Sequence, residues 1–176
     1  VVFKGIAIRN VAGQAIGVLG NSIRVEDCLM DFMYSGAMEL DGDNCLIKNC
    51  TIMRGSMKFF DPSRYLVDPV SKNPWCGNGP ESVQTTVVVK GSGNIIDGCN
   101  ICYNCAEGIA LAKTGRNCVI RDCVVHDNMH WNLGINGHYN GRIERTISYY
   151  CPNVMRVWGK NKMPNCLTMG DEKDFS

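Results

Sequence analysis

The chain has 176 residues, of which 45% are hydrophobic, so it is long enough for one domain with a buried core. Its 18 basic and 17 acidic residues leave a net charge of +1, and this balance gives no indication of a nucleic-acid partner. Apolar runs such as Thr86–Val89 are short, whereas a membrane span needs about 20 apolar residues. We therefore predict neither nucleic-acid binding nor a membrane span.

The first residues already have the pattern of a β-strand. The chain starts at Val1 without an initiator Met or a signal peptide. We interpret this as a removed targeting segment or as a piece of a longer protein. Residues 3–10 alternate between apolar and polar side chains, and residues 13–19 form a second short apolar segment, so both are predicted strands.

After these two strands a short sequence motif recurs, in which a β-branched residue precedes Cys or Thr by three positions. Its copies are Val25–Cys28, Ile47–Cys50, Ile96–Cys99, Ile120–Cys123 and Ile143–Thr146. The steps between the Cys or Thr positions are 22, 49, 24 and 23, so one step contains an insertion. A fixed period of this length indicates a repeat architecture.

Each repeat combines short apolar strands with turns rich in Gly and Asn. Strands led by Gly lie at 36–40, 108–111 and 134–136, and the turns lie at 41–44, 91–94 and 114–117. With no helical periodicity, this pattern predicts an all-β parallel β-helix of about six coils over residues 1–170, followed by a charged tail at 171–176. The Leu consensus of leucine-rich repeats is absent, and a β-sandwich would not need the recurrence.

Eleven cysteines are an unusually large and odd number for this length. The four at the shared repeat position, Cys28, Cys50, Cys99 and Cys123, are predicted to stack as buried thiols, with Thr146 extending the row. Disulfides are expected instead at cysteines in loop-like stretches, namely Cys76, Cys102, Cys105 and Cys151. The Cys spacings do not favour a metal cluster.

The repeats resemble the right-handed parallel β-helices of the pectin-lyase-like superfamily. The resemblance rests on the segments GIAIRNVAG, NCLIKNCTI, NIIDGCNI and NCVIRDCVVHDN, which span nearly the whole chain. It implies the fold directly. It implies function only broadly, because that superfamily contains polysaccharide lyases, hydrolases, epimerases, phage tailspikes and non-catalytic surface proteins.

Residues 55–84 interrupt the period and are interpreted as a functional insertion. They hold four of the six prolines and include Phe59, Phe60, Tyr65 and Trp75. These aromatic residues argue against disorder, so we expect the segment to fold back over the side of the β-helix. A flap with a purely structural role is the alternative.

Stacking of equivalent repeat positions predicts a site beside this insertion. Arg54, Tyr103, Asp127 and Tyr149 are expected to share one row on the outer surface. His126 with Asp127 is the best candidate for a general acid–base pair, and His130 is a further catalytic candidate. The alternative is that His126-Asp127-Asn128 simply forms a turn.

Aromatic side chains near this row are predicted to stack on sugar rings. The candidate binding residues are Trp131, Tyr103, Tyr149, Arg54 and Trp75. The third histidine, His138, is interpreted as a turn residue.

Comparison with the superfamily's enzymes favours lyase or epimerase chemistry slightly over hydrolysis. Lyases of that superfamily use Lys or Arg, and Lys90, Lys113 and Arg121 are candidates by residue type. The hydrolases' paired Asp and Gly-His-Gly are not reproduced, because the corresponding places read Arg121-Asp122 and Gly137-His138-Tyr139. No cofactor is predicted, with calcium at Glu39, Asp41 and Asp43 as the alternative.

Two functional hypotheses follow. The first is a secreted or extracellular β-helix protein, with a periplasmic or cell-surface location as the variant, that binds a polysaccharide or cleaves or epimerises it. The second is a non-catalytic structural or adhesive module of a larger extracellular assembly. An outer cluster of His and carboxylate groups within hydrogen-bond reach favours the first.

Overall fold

A computed structural model describes residues 1–57, 85–128, 130–151 and 166–170. The described residues form 18 short strands in three parallel sheets of six strands each, which confirms the all-β repeat architecture. No helix in the described part of the chain has the length and hydropathy that crossing a membrane requires.

The chain visits the three sheets in a fixed order. The strands of sheet 1 are β1 (Val2–Lys4), β4 (Arg24–Glu26), β7 (Leu46–Lys48), β10 (Ile95–Asp97), β13 (Val119–Arg121) and β16 (Arg142–Glu144). Those of sheet 2 are β2 (Ala7–Val11), β5 (Leu29–Met33), β8 (Thr51–Met53), β11 (Asn100–Cys102), β14 (Val124–His126) and β17 (Ile147–Tyr149). Those of sheet 3 are β3 (Ile16–Val18), β6 (Met38–Leu40), β9 (Val87–Val89), β12 (Ile109–Leu111), β15 (Leu133–Asn136) and β18 (Leu167–Gly170).

Each strand pairs in parallel with the equivalent strand of the next coil. Six successive strand triplets therefore wind a solenoid in which β1 and β16 are separated by five full turns. This agrees with the predicted number of about six coils.

The core consists of apolar side chains that stack along the solenoid axis. In sheet 1 the register aligns Val25, Ile47, Ile96 and Ile120, and each of these is at most 1% exposed. Strands with only three residues can form this core because the central side chain points inward and its equivalent lies one coil away. A residue and its counterpart one period later therefore share one environment.

The predicted cysteine row is confirmed. Cys28, Cys50, Cys99 and Cys123 are each at most 3% exposed. The backbone N–H of Cys50 donates to Cys99 Sγ at 3.4 Å, and that of Cys99 donates to Cys123 Sγ at 3.4 Å. Thr146 extends the row, because its hydroxyl oxygen accepts from the Cys123 N–H at 3.4 Å. Cys99 and Cys123 thus each accept a hydrogen bond from the preceding coil within the core.

The disulfide prediction is wrong for the loop cysteines that the structure describes. No disulfide joins any two of the ten described cysteines. Cys102 is 1% exposed, and Cys105 Sγ contacts Met57 Sδ at 3.7 Å. Cys76 lies outside the described residues.

The corners between sheets 1 and 2 are made by one residue with positive φ in each coil. Asp27, Asn49, Asp122 and Arg145 have φ between 44° and 54° at equivalent positions. Asn and Asp tolerate this left-handed conformation better than most residues. Gly98 occupies the same place with φ of 64°, and a Cβ there would lie 2.7 Å from Asn49 Oδ1. The tight corner fixes how sheet 2 follows sheet 1.

The predicted insertion starts at the corner between sheets 2 and 3. The N–H of Gly55 donates to Asn104 Oδ1 at 2.6 Å, which ties the start of the insertion to the next coil. Residues 58–84, with the predicted flap and its aromatic residues, lie outside the described residues, as does the predicted tail at 171–176.

Candidate functional site

His126 and Asp127 form a hydrogen-bonded pair at the end of β14. His126 Nδ1 lies 2.9 Å from Asp127 Oδ2. His126 is 8% exposed and Asp127 is 1% exposed. Asp127 takes the left-handed corner position, with φ of 53°, and its Oδ1 accepts from the Cys151 N–H at 2.7 Å. The carboxylate is therefore fixed from two sides, and it orients the imidazole.

Two tyrosines frame the His126 ring. Tyr149, one coil later, stacks on it with ring centroids 4.7 Å apart and planes 7° from parallel. Tyr103, one coil earlier, meets it edge-on at 5.4 Å. Tyr103 and Tyr149 are 47% and 40% exposed, so an imidazole that is almost covered lies between two accessible aromatic rings.

The place of Tyr149 corrects the predicted row by one residue. Tyr149 pairs in register with His126, and Ser148 pairs with the inward-facing Val125. Ile147 is 60% exposed despite its apolar side chain. The position of Thr146 in the cysteine row fixes this register, and aligning Ile147 with the inward apolar residues gave the wrong one.

Arg54 is not brought into the His126 cluster. It lies at the equivalent corner two coils earlier, after β8, where its guanidinium bonds to Asp31. The Nε–Oδ1 and Nη2–Oδ2 distances are 2.7 and 2.6 Å. The hydrogen bond to this carboxylate also raises the pKa of Arg54. Arg54 therefore links two coils on the outer surface.

His130 belongs to a second, separate chain of hydrogen bonds. Its Nδ1 lies 3.1 Å from Glu107 Oε1, and the Thr85 hydroxyl donates to Glu107 Oε2 at 2.6 Å. His130, Glu107 and Thr85 are 4%, 7% and 9% exposed. Trp131 packs on His130 with ring centroids 4.3 Å apart and planes tilted by 33°. Trp131 is thus half-buried against an imidazole that a buried carboxylate orients.

Sequence reasoning did not identify Thr85 and Glu107. Both could have been found from the repeat period, because Thr85, Glu107 and His130 are separated by 22 and 23 residues. Equivalent positions one period apart stack on one another in this fold. The period places Glu107 next to His130, although Cys105-Ala106-Glu107-Gly108 contains no catalytic motif.

A ladder of buried asparagines supports the segment that holds both histidines. Asn104, Asn128 and Asn132 are each fully buried. Asn104 Nδ2 donates to Asn128 Oδ1 at 2.7 Å, and Asn128 Nδ2 donates to Asn132 Oδ1 at 2.9 Å. Asn132 Nδ2 then donates to the Tyr149 carbonyl at 3.0 Å. The ladder therefore connects the corner to the strand that carries Tyr149.

The sequence profile of a family described as "Right handed beta helix region" matches residues 1–151. The chain belongs to the right-handed β-helix family. Among curated proteins, no sequence matches this chain well enough to count as a relative. Family membership establishes the solenoid, while the chemistry of this β-helix has to be inferred from its own side chains.

His138 and Arg121, which were also considered from the sequence, have structural partners in this β-helix. His138 is 7% exposed, lies 2.8 Å from the Ala112 carbonyl through Nδ1 and accepts from the Cys118 N–H through Nε2. Arg121 donates to Asp97 Oδ2 of the preceding coil through Nε and Nη2. These contacts hold neighbouring coils together. Trp75 lies outside the described residues, and Lys113 is exposed.

Two of the residues considered for calcium, Glu39 and Asp43, contact the neighbouring coil. Glu39 is paired with Lys90, and Asp43 Oδ1 accepts from the Ser92 N–H at 2.7 Å. Asp41 is exposed beside the turn. Across the described residues, no group of three or more His, Cys, Asp or Glu side chains is arranged to hold a metal ion.

Proposed function

We propose that this β-helix protein binds a polysaccharide on the outer surface of sheet 2 and acts on it by acid–base chemistry at His126. The observation that carries the proposal is the His126 ring, which is hydrogen-bonded to Asp127 and stacked at 4.7 Å on Tyr149. Accessible tyrosines beside an oriented imidazole are suited to hold a sugar ring next to a proton carrier.

The hydrogen bond assigns roles to the two members of the pair. A carboxylate accepts, so His126 Nδ1 carries the proton and Nε2 of the neutral ring is the basic atom. Asp127 stabilises the imidazolium that forms when Nε2 takes a proton. In a uronan, the proton next to the carboxylate would be removed in this way, as a lyase or an epimerase requires.

The two tyrosines remain protonated at neutral pH and can donate hydrogen bonds to sugar oxygens. Partial burial and the Asp127 charge raise the pKa of Tyr103. Partial burial, Cys151 and Asp127 raise that of Tyr149. Trp131 provides a further ring near His130 for a longer chain of sugars.

The second candidate is a non-catalytic module of a larger assembly. It is favoured by outer charges that pair between coils, as in Arg54–Asp31, Arg121–Asp97 and Arg145–Asp122. Such pairs reinforce a spacer and leave fewer charges for a substrate. For both candidate functions we propose a location outside the cell, where polysaccharides are encountered.

Binding to a panel of uronans and neutral polysaccharides tests the proposal, with absorbance at about 235 nm reporting lyase products of the uronans. Tyr149→Ala should weaken binding. Tyr139→Ala is the matched control, because Tyr139 is 70% exposed and packs beside Arg116 away from sheet 2. If no polysaccharide binds, the role as a non-catalytic module of a larger assembly remains the candidate function.

A further inference from the structure

A cavity of about 300 Å³ lies between the outer side of sheet 3 and the corner that joins it to sheet 2. Its lining includes Gln14, Ser35, Gly36, Glu39, Thr85 and Lys90. The volume is at the small end of the range for ligand pockets, which is about 300–1,000 Å³. The cavity is therefore suited to one small ring or to one unit of a polymer.

The charged groups of the cavity neutralise each other. Lys90 Nζ forms an ion pair and hydrogen bond with Glu39 Oε1. The two side chains are 41% and 32% exposed, so both can be reached from the cavity. A pocket with one cation and one anion in contact offers no net charge to an ionic ligand. It still presents donors and acceptors together.

Thr85 lines the cavity and is 9% exposed. Its hydroxyl proton is donated to Glu107 at 2.6 Å, and Glu107 is itself held by His130 at 3.1 Å. The lone pairs of Thr85 Oγ1 are therefore left to accept from a ligand hydroxyl. The coils approach closely at Gly36, since a Cβ there would lie 3.0 Å from the Thr85 carbonyl oxygen.

Gln14 adds a second acceptor at the cavity. Its Nε2 donates to the Ile16 carbonyl at 3.1 Å, which leaves Oε1 to accept. Lys90 supplies N–H donors beside it. A ligand that both donates and accepts through several hydroxyl groups would satisfy this set.

We infer that this cavity binds a neutral sugar ring in preference to a uronate. The inference rests on the proposed function and names the sugar class at a second place on the surface. Sugar hydroxyls donate to Thr85 Oγ1 and Gln14 Oε1 and accept from Lys90 Nζ. The Glu39 carboxylate repels a sugar carboxylate and cancels the attraction of Lys90. Glu107 and His130 act as positioning residues, because they orient Thr85.

Isothermal titration and NMR shift mapping of the full chain test this with methyl glucoside, methyl galactoside and methyl mannoside against glucuronate and galacturonate. At least one neutral glycoside should shift signals of the cavity residues and bind about tenfold more tightly than either uronate, a difference of about 1.4 kcal/mol. Equal or tighter binding of a uronate overturns the inference, and so does the absence of binding by all three glycosides.

Two variants locate the sugar. Thr85→Val keeps the shape but removes the acceptor, and it should weaken binding of the neutral glycoside about tenfold. Thr51→Val on the outer face of sheet 2 is the matched control and should bind like the wild type. If Thr85→Val binds as tightly as the wild type while its melting temperature is unchanged, the cavity is not the site.

A third variant tests whether the Lys90–Glu39 ion pair sets the preference for neutral sugars. Glu39→Gln leaves Lys90 without a carboxylate partner, so the preference should change toward uronates by about tenfold or more. An unchanged preference contradicts the assigned role of the ion pair. Tyr149→Ala separates this inference from the proposed function. It should leave methyl glycoside binding unchanged while it weakens polysaccharide binding, so either proposal can fail without the other.

Discussion

His126 is the side chain to which we assign the acid–base chemistry of the candidate site. Its Nδ1 is fixed by Asp127, and its ring plane is fixed by Tyr149. A general acid or base of this kind contributes about 10²–10⁴-fold to a rate. On a polysaccharide that the protein turns over, His126→Ala should therefore lower kcat by at least about 100-fold.

Initial-rate measurements on His126→Ala and Tyr139→Ala check this, with thermal melting to show that both variants are folded. Tyr139→Ala should keep the wild-type kcat. A His126→Ala variant with full activity would assign the chemistry to another group, and His130 with Glu107 would be tested next in the same way.

Cys102 gives a pH dependence with a defined sign. Burial and the neighbouring Asp127 charge raise the pKa of this thiol from 9.0 to about 11. Below pH 9 the thiol is protonated in the folded and unfolded states. Between pH 9 and 11 it ionises more readily when unfolded, so the stability that it contributes, about 2–3 kcal/mol, is lost as pH rises.

Urea unfolding at pH 8 and pH 10.5 measures this loss. The decrease in free energy of unfolding should be smaller in Cys102→Ala than in the wild type, because the alanine cannot ionise. Other groups titrate in the same range, so the difference between the two proteins is the quantity to compare. Parallel pH profiles would show that Cys102 ionises equally in both states.

The element that repeats is a coil, and the cysteine row shows how tightly coils are packed. Cys99 is 1% exposed between Cys50 and Cys123, and its hydrogen bonds with these thiols together with burial raise its pKa. Cys99→Leu should cost about 1–3 kcal/mol in free energy of unfolding through overpacking. The outward-facing Thr51→Leu is the control and should cost less. Equal costs from urea unfolding would contradict the inward row.

Variants at the corner before sheet 1 separate the effect of backbone conformation on stability from the effect of a side-chain hydrogen bond. Asn117 has φ of 58° there and accepts from Asn140 Nδ2 at 2.8 Å. Asn117→Ala and Asn117→Gly both remove this hydrogen bond, but Ala adopts positive φ less readily. The glycine variant should therefore be more stable than the alanine variant by about 1–2 kcal/mol. Equal melting temperatures would mean that the corner relaxes.

The regular period made the fold, the cysteine row and the His126–Asp127–Tyr103 group predictable from sequence. Glu107 lies one period from both Thr85 and His130, so the period contained the signal, but no local motif around Glu107 pointed to it. At β17 local hydrophobicity gave the wrong alignment, because the apolar Ile147 faces outward and Ser148 faces inward. Local hydrophobicity and repeat register disagree there, and the register decides the side-chain direction.

At the scale of the whole molecule, the solenoid separates its proposed surfaces. The His126 group lies on coils four to six along sheet 2, while the cavity lies on the first three coils beside sheet 3. A polymer that contacted both surfaces would have to follow the corner between sheets 2 and 3. Two binding surfaces on one rigid solenoid increase the avidity for a long chain over that for a short one.

The same architecture predicts that the stability contributed by a core residue depends on whether its coil has neighbouring coils on both sides. Ile8 and Ile101 lie on equivalent inward positions of sheet 2, through the pairs Ile8–Met30, Met30–Ile52 and Ile52–Ile101. Ile101 is fully buried between neighbouring coils, while Ile8 in the first coil is only half-buried.

Ile101→Ala should therefore cost about 2–5 kcal/mol in free energy of unfolding, because a cavity remains between two coils. Ile8→Ala removes the same atoms from a place with fewer neighbours and should cost roughly 1 kcal/mol. Urea unfolding of both variants measures the difference. Equal costs would show that the first coil is packed as tightly as the fourth, contrary to nearest-neighbour stacking in a solenoid.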